Sequence, residues 1–402
     1  MTTKIREGYK QTELGLFPDD WEKLELKDIS DISVGKDLVE SEFSSYQDDK
    51  FKFPVYSNTV SNEGLYGFYN YSEYTNESLT VVGRGVGLGT AFKREESFGA
   101  IGRLLVIKPY FQYDFRYLTY FINHKVNIHF ESGGIPQLTG VSFGKYKVIL
   151  PPTKSEQTAI ATALSDADAL ITSLEKLIEK KRAIKQGAMQ ELFFPKYNWE
   201  EKTYGEIFLF LNSATYSRAQ LTETDEIKYI HYGDIHTKWD FHLDINNNSL
   251  PSIKEDQLKN YSIIKEGDVI MADASEDYNG VGKSVEVKNV VNTKVIAGLH
   301  TFLLRDVNGV FVNGFRSYIH IIRSVKKQFD ELATGMKVYG VSRTNLKNVM
   351  IPVPPREEQT LIATILSDMD AEITALEQKL GKYKMIKQGM MQELLTGKIR
   401  LV

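Results

Sequence analysis

Residues 156–192 recur at residues 358–394, ungapped at an offset of 202, with 24 of 37 positions identical. A chain that repeats a segment this closely carries a duplicated structural unit. In the first copy the apolar positions Ile160, Leu164, Ala167, Ile171, Leu174 and Ile178 step by four and three. The second copy does the same at Ile362, Leu366, Met369, Ile373, Leu376, Leu380 and Tyr383. That is a heptad seam, which predicts two long helices packed along their length. Further on, the stripe shifts to Ile184, Ala188 and Leu192, and to Ile386, Met390 and Leu394. Pro151-Pro152 precedes the first helix, and Pro352 and Pro354-Pro355 the second; proline is tolerated ahead of a helix and not inside it. Gly187 and Gly389, late in each helix, either admit another backbone or mark a bend. Thirty-seven helical residues span about 55 Å. A lone helix with an exposed seam is unstable, and the matched length and register favour an antiparallel pair within the chain over a coiled coil between chains.

The segments between the copies diverge, although they share a front edge. Trp21-Glu22 answers to Trp199-Glu200 at an offset of 178, so the second segment carries 24 more residues. Short β-like runs at 78–82, 104–107, 147–150, 268–271, 284–287, 301–304 and 349–353 are bounded by turn residues. A helix-like stretch follows Phe115-Arg116 in one segment and Phe315-Arg316 in the other. The expected fold is therefore α/β in the α+β sense. Two globular mixed domains are separated by two long helices that pair as an antiparallel coiled coil, with a pseudo-two-fold internal repeat. The expected boundaries are 1–152, 153–195, 196–353 and 354–402.

Composition excludes several classes. There is no cysteine, so disulfides, thiolate nucleophiles and cysteine zinc sites are ruled out, which fits a cytoplasmic protein. No apolar run is long enough for a membrane span, and the start lacks a secretory apolar region. Lys and Arg number 49 against 53 Asp and Glu, so any nucleic-acid face must come from the arrangement of charge. Gly83, Gly85, Gly87 and Gly89 lack dinucleotide spacing, because Leu88 and Thr90 stand where the third glycine is needed. Asp273 with Glu286 and Lys288 is a loose match to a metal-dependent nuclease site, and it supports a self-contained nuclease as the alternative function. His231, His236 and His242 have spacings that fit no single helical face.

What remains is binding. Aromatic, amide and basic residues crowd the loops at 53–74, 83–94, 229–241, 274–283, 297–302 and 334–345. These are the types that reach phosphates and base edges. The whole layout resembles the specificity subunit of a type I restriction-modification system. The resemblance rests on YKQTELGLFPDDWE near the start, on EQTAIATALSDADALI with IKQGAMQEL, and on PPREEQTLIATILSDMDAEI with IKQGMMQELLTGKIRL. GDVIMA, AGLHTF and GRGVG add to it.

The resemblance implies a non-catalytic subunit that binds double-stranded DNA. Each recognition domain would read one half of an asymmetric split target, with half-sites about one helical turn, roughly 35 Å, apart. Two modification subunits using S-adenosylmethionine, and restriction subunits using ATP and magnesium, would be the partners; this chain would hold no cofactor or metal itself. Expected DNA-binding residues are Tyr56, Asn58, Arg84, Lys93, Arg94 and Gln137 in the first domain. In the second they are His231, Lys238, Lys283, His300, Tyr339, Arg343 and Asn345. Expected partner-binding residues on the helices are Gln157, Ile160, Gln186 and Gln190, with Gln359, Ile362, Gln388 and Gln392.

Overall fold

The heptad stripes become two helices of 39 residues, Lys154–Leu192 and Arg356–Leu394. The computed structural model describes residues 7–128, 137–277, 280–335 and 338–401. Neither helix belongs to one body. The first unit is Met1–Lys176 with Glu377–Val402, and the second is Leu177–Leu376. The four expected segments gave each helix a part of its own. Instead each unit takes a portion of both helices, because the helices pack against each other and against the globular body beside them.

In the first unit Ile160 and Leu164 are fully buried with Phe17, Trp21, Tyr117, Leu394 and Leu395. Glu175 pairs with Lys384 and Asp168 with Lys387, so the helix portions run antiparallel. The Tyr120 hydroxyl donates to Asp168 at 2.6 Å, and the Lys387 ammonium lies 5.7 Å from the Tyr120 ring centre. The second unit makes the same network from the matching residues. Lys185 pairs with Asp370, Lys181 with Glu372, and the Tyr318 hydroxyl lies 3.5 Å from Asp370. Asp370 and Lys387 are Asp168 and Lys185 displaced by 202 residues, so much of the identity between copies is internal packing. The stripe does not stay buried throughout. Ile184 and Ile386 are 46% and 42% exposed, while Lys185 beside Ile184 is only 9% exposed. The lysine turns inward because an aspartate and an aromatic ring await it.

The globular part of the first unit holds an antiparallel sheet in the order Ser30–Val34, Leu105–Pro109, Ser78–Val81, Ala91–Arg94. In a second sheet Gly99–Ala100 pairs parallel to Phe53–Tyr56. The second unit repeats the plan with Phe208–Leu211, Thr301–Asp306, Val269–Ala272 and Ser284–Lys288, plus an added strand His242–Asp244. There Lys294–Ala297 runs parallel to Ile227–Ile230. All seven β-like runs fall on strands, with ends shifted by up to two residues. Among the described residues no helix is long and apolar enough to cross a membrane.

Candidate nucleic-acid interface

Strand register brings the same backbone frame together in both units. In the first, Leu138 N–H donates to the Gly83 carbonyl at 2.7 Å and Arg84 bridges to Gln137. In the second, Val341 N–H donates to the Asp273 carbonyl at 3.0 Å and Ala274 pairs with Gly340. One residue later Thr139 and Ser342 each cap a short helix, Gly140–Gly144 and Arg343–Lys347. Arg103 and His300, three residues beyond the matched Ala100 and Ala297, both take left-handed φ values of 65° and 57°. The frame is thus a strand end, a left-handed corner and a helix cap. The side chains mounted on it differ at nearly every position.

In the first unit the glycine-rich loop is a series of tight turns. Gly87 and Gly89 have φ near 80–87°, and a Cβ would meet Val60 at 2.2 Å and Ile128 at 2.4 Å. The loop holds Arg84 exposed, with no ion-pair partner among the described residues, and Gln137 exposed beside it. Asn58 also belongs to the frame, its Oδ1 accepting from Gly83 N–H at 2.7 Å. Tyr56 and Arg94, expected to contact DNA, do not face solvent. They are 8% and 3% exposed, and the Arg94 guanidinium lies 3.4 Å from the Tyr56 ring centre. Its Nε donates to Thr80 Oγ1 at 3.0 Å and an Nη to the Glu63 carbonyl at 2.6 Å. A stacked, bonded guanidinium stabilises a loop and is not free to meet a base. Arg94→Ala is expected to lower stability by about 2–3 kcal/mol, through orphaned partners and lost stacking, while leaving target preference unchanged. Calorimetry alongside a target-sequence assay checks both halves. Lys93, half-buried, is paired with Glu95 at 3.2 Å.

The second unit gathers rings. Tyr232 lies 4.8 Å from His231, 5.4 Å from His300 and 6.4 Å from His236, centre to centre. His231 caps the helix Tyr232–Thr237, its Nδ1 accepting from Gly233 N–H, and burial holds its pKa down. It is therefore a cap rather than an exposed contact, at 8% exposure. His300 is exposed, its Nδ1 3.3 Å from Asp273 Oδ1. Burial raises the Asp273 pKa, and the facing His300 works against that rise. Lys283 donates to the His236 carbonyl at 3.1 Å, and Tyr339 pairs across from Ser275. Arg343 and Asn345 are exposed on the capped helix, with Arg343 donating to the Leu211 carbonyl at 3.0 Å. Lys238 lies at the far end of its helix, held 3.1 Å from Asp234. Sequence reading missed Tyr232 and Arg103, which only the strand register places on the frame.

The nuclease triad does not assemble. Glu286 is fully buried and accepts from Gly314 N–H at 2.7 Å and Ser317 N–H at 3.3 Å, with Arg316 at 3.4 Å. It stands opposite Val269, four residues before Asp273, or about 13 Å along the strand. Among the described residues no group of three His, Cys, Asp or Glu is placed to hold a metal.

The expected docking residues divide in two. Gln157, Ile160, Gln359 and Ile362 are at most 2% exposed, and so are unavailable to another protein. Gln157 accepts from Asp114 N–H and donates to the Pro151 carbonyl. Gln359 accepts from Val312 N–H and donates to the Pro354 and Val310 carbonyls. Each glutamine stitches a globular body to the start of a helix. Gln186, Gln190, Gln388 and Gln392 are exposed, and Gly187 and Gly389 have open space where a Cβ would stand.

The profile of the type I restriction modification DNA specificity domain matches residues 18–186 and again 196–387. The MjaVIII type I restriction enzyme specificity subunit of Methanocaldococcus jannaschii is 24% identical over 98% of this chain and 96% of its own length. The putative MjaX type I specificity subunit of the same organism is 25% identical over 98% and 97%. Among solved structures, the type I restriction-modification S subunit of M. genitalium superimposes with a TM-score of 0.61. That match covers 98% of both chains at 14% identity, and so speaks for the fold.

Proposed function

The chain belongs to the type I restriction-modification DNA specificity family, and from that premise we propose that each unit reads one half of an asymmetric, two-part DNA target. Within such a system it supplies DNA recognition and not catalysis. The observation that carries the half-site reading is the repeated frame with unlike side chains. Arg84, Arg103, Gln137 and Asn58 stand on one copy, and His300, Asp273, Tyr232 and Arg343 on the other. Two readers built on one backbone and armed differently select different words. The helices fix the distance between those words.

The exposed Gln186, Gly187 and Gln190, matched by Gln388, Gly389 and Gln392, have no internal packing among the described residues to explain their identity. Each triplet forms a docking stripe on its own unit for the modification subunits, which bring S-adenosylmethionine and adenine methylation; restriction subunits bring ATP and magnesium. The setting is cytoplasmic. The chain's near-neutral balance of charge fits this division, since partner subunits supply much of the phosphate contact. Mapping modified adenines in DNA treated with the reconstituted methyltransferase should return one gapped motif with unlike halves. A continuous palindrome would sink the two-reader scheme.

A further inference from the structure

We infer that Arg103 and His300 are equivalent specificity-determining residues, one for each half of the target; this rests on the two-reader function proposed above. Their equivalence comes from hydrogen-bond register. Ala100 pairs with Tyr56 as Ala297 pairs with Ile230, and the following N–H groups of Ile101 and Gly298 donate to the Tyr56 and Ile230 carbonyls. Three residues past each alanine the chain turns left-handed, then enters the sheet's second strand.

A left-handed corner favours glycine, since a Cβ there crowds the backbone. Both corners nonetheless carry long polar side chains, and both side chains are exposed. Arg103 makes no side-chain contact among the described residues, and His300 touches only the Tyr232 ring and the Asp273 carboxylate. Strain kept twice at one position, in segments of little shared sequence, marks a residue held for what its side chain reaches. The two residues sit where the frame converges. The Arg103 carbonyl lies 3.2 Å from where a Cβ on Gly83 would stand, and Asp273 N–H donates to the His300 carbonyl at 3.1 Å.

Their chemistry differs in a way that reads different bases. Arg103 has no partner among the described residues, and its planar fork matches the two acceptors on a guanine edge. His300 Nδ1 faces the Asp273 carboxylate at 3.3 Å, and its ring stands edge-on to the Tyr232 ring at 5.4 Å. With its proton at Nδ1, the free Nε2 accepts from the amino group of adenine or cytosine. Asp273 is thus a positioning residue for His300.

The test uses the full chain reconstituted with its modification subunits. Arg103→Gly and His300→Gly each remove a side chain where glycine is conformationally at ease, so folding is not compromised. Melting temperature should hold or rise in both. Discrimination should fall by about tenfold to a hundredfold at one base pair, in one half of the motif for Arg103→Gly and in the other half for His300→Gly. Arg103→Lys keeps the charge without the fork, and should bind with near-normal affinity yet relax the same base pair. Equal loss on every sequence would make Arg103 a phosphate contact and overturn the inference. So would an unchanged motif, or relaxation of the same half by both variants. If the wild-type complex yields no gapped motif at all, it is the underlying two-reader function that fails.

Discussion

Glu286→Ala should destabilise the second unit by about 3–5 kcal/mol, the cost of breaking a buried and fully bonded ionic group. Glu286 is shut away from solvent, with its oxygens facing the N–H groups of Gly314 and Ser317 and the Arg316 guanidinium. Burial pushes its pKa up, against the pull of the Gly314 N–H and Arg316. The charge as such is therefore poorly housed, and the stabilisation lies in the acceptor atoms. Removing them leaves two buried N–H groups without their partner and takes one of two facing carboxylates from the Arg316 guanidinium, which keeps Asp306, Asn313 and the Phe311 carbonyl. Glu286→Gln should cost less, about 2 kcal/mol, because one oxygen remains. For a unit of this size, 3–5 kcal/mol corresponds to a fall of roughly 10 °C in melting temperature. Calorimetry of the two variants orders them, and equal, negligible shifts would show that Glu286 does not knit this core.

The residues legible in the sequence were those whose role repeats at one offset. The heptad positions Ile160, Leu164, Ile362 and Leu366 are buried where the stripe puts them. The Phe115-Arg116 and Phe315-Arg316 pairs both open helical stretches that pack into their cores. Composition failed where one residue type serves two ends. Tyr56 and Arg94 look like a DNA-facing pair in a polar loop, yet they stack on each other inside it. Gln157 and Gln359, identical in both copies, looked like docking residues, but internal stitching demands the same identity. The frame itself was hidden by shifting offsets. Tyr56 matches Ile230 at 174, Gly83 matches Asp273 at 190, Arg103 matches His300 at 197 and Leu138 matches Val341 at 203. Insertions between strands break any single alignment, and only paired backbones restore the correspondence.

The same polar core makes the second unit sensitive to acid. His320 is buried and His242 largely so, and both are held neutral, their pKa values pushed down by desolvation to about 4 and about 3. His242 Nδ1 meets Ser317 Oγ at 3.3 Å, and His320 Nδ1 meets Ser284 Oγ at 3.0 Å. In the unfolded chain both titrate near 6.5. Between that pH and their folded values the unfolded state binds more protons, so stability falls as pH falls. Above pH 7 neither contributes a slope. Glu286 and Asp273, whose pKa values burial raises, act in the opposite sense and trim the effect. The net loss by pH 5 is on the order of 3 kcal/mol. In the first unit Asp114 is buried, a penalty outweighed by its bonds to Arg116, Thr158 and the Tyr117 N–H. Its pKa is therefore lowered, and its share of stability is surrendered only below the ordinary carboxylate range. His124 there, only half-buried, moves with His242 and His320. The second unit should therefore soften first as pH drops from 7.5 to 5. Replacing His242 with Gln and His320 with Asn keeps a hydrogen-bonding group toward each serine and removes the titration. The doubly substituted protein should lose melting temperature over that range at less than half the wild-type rate. An unchanged slope would place the acid sensitivity in some other group.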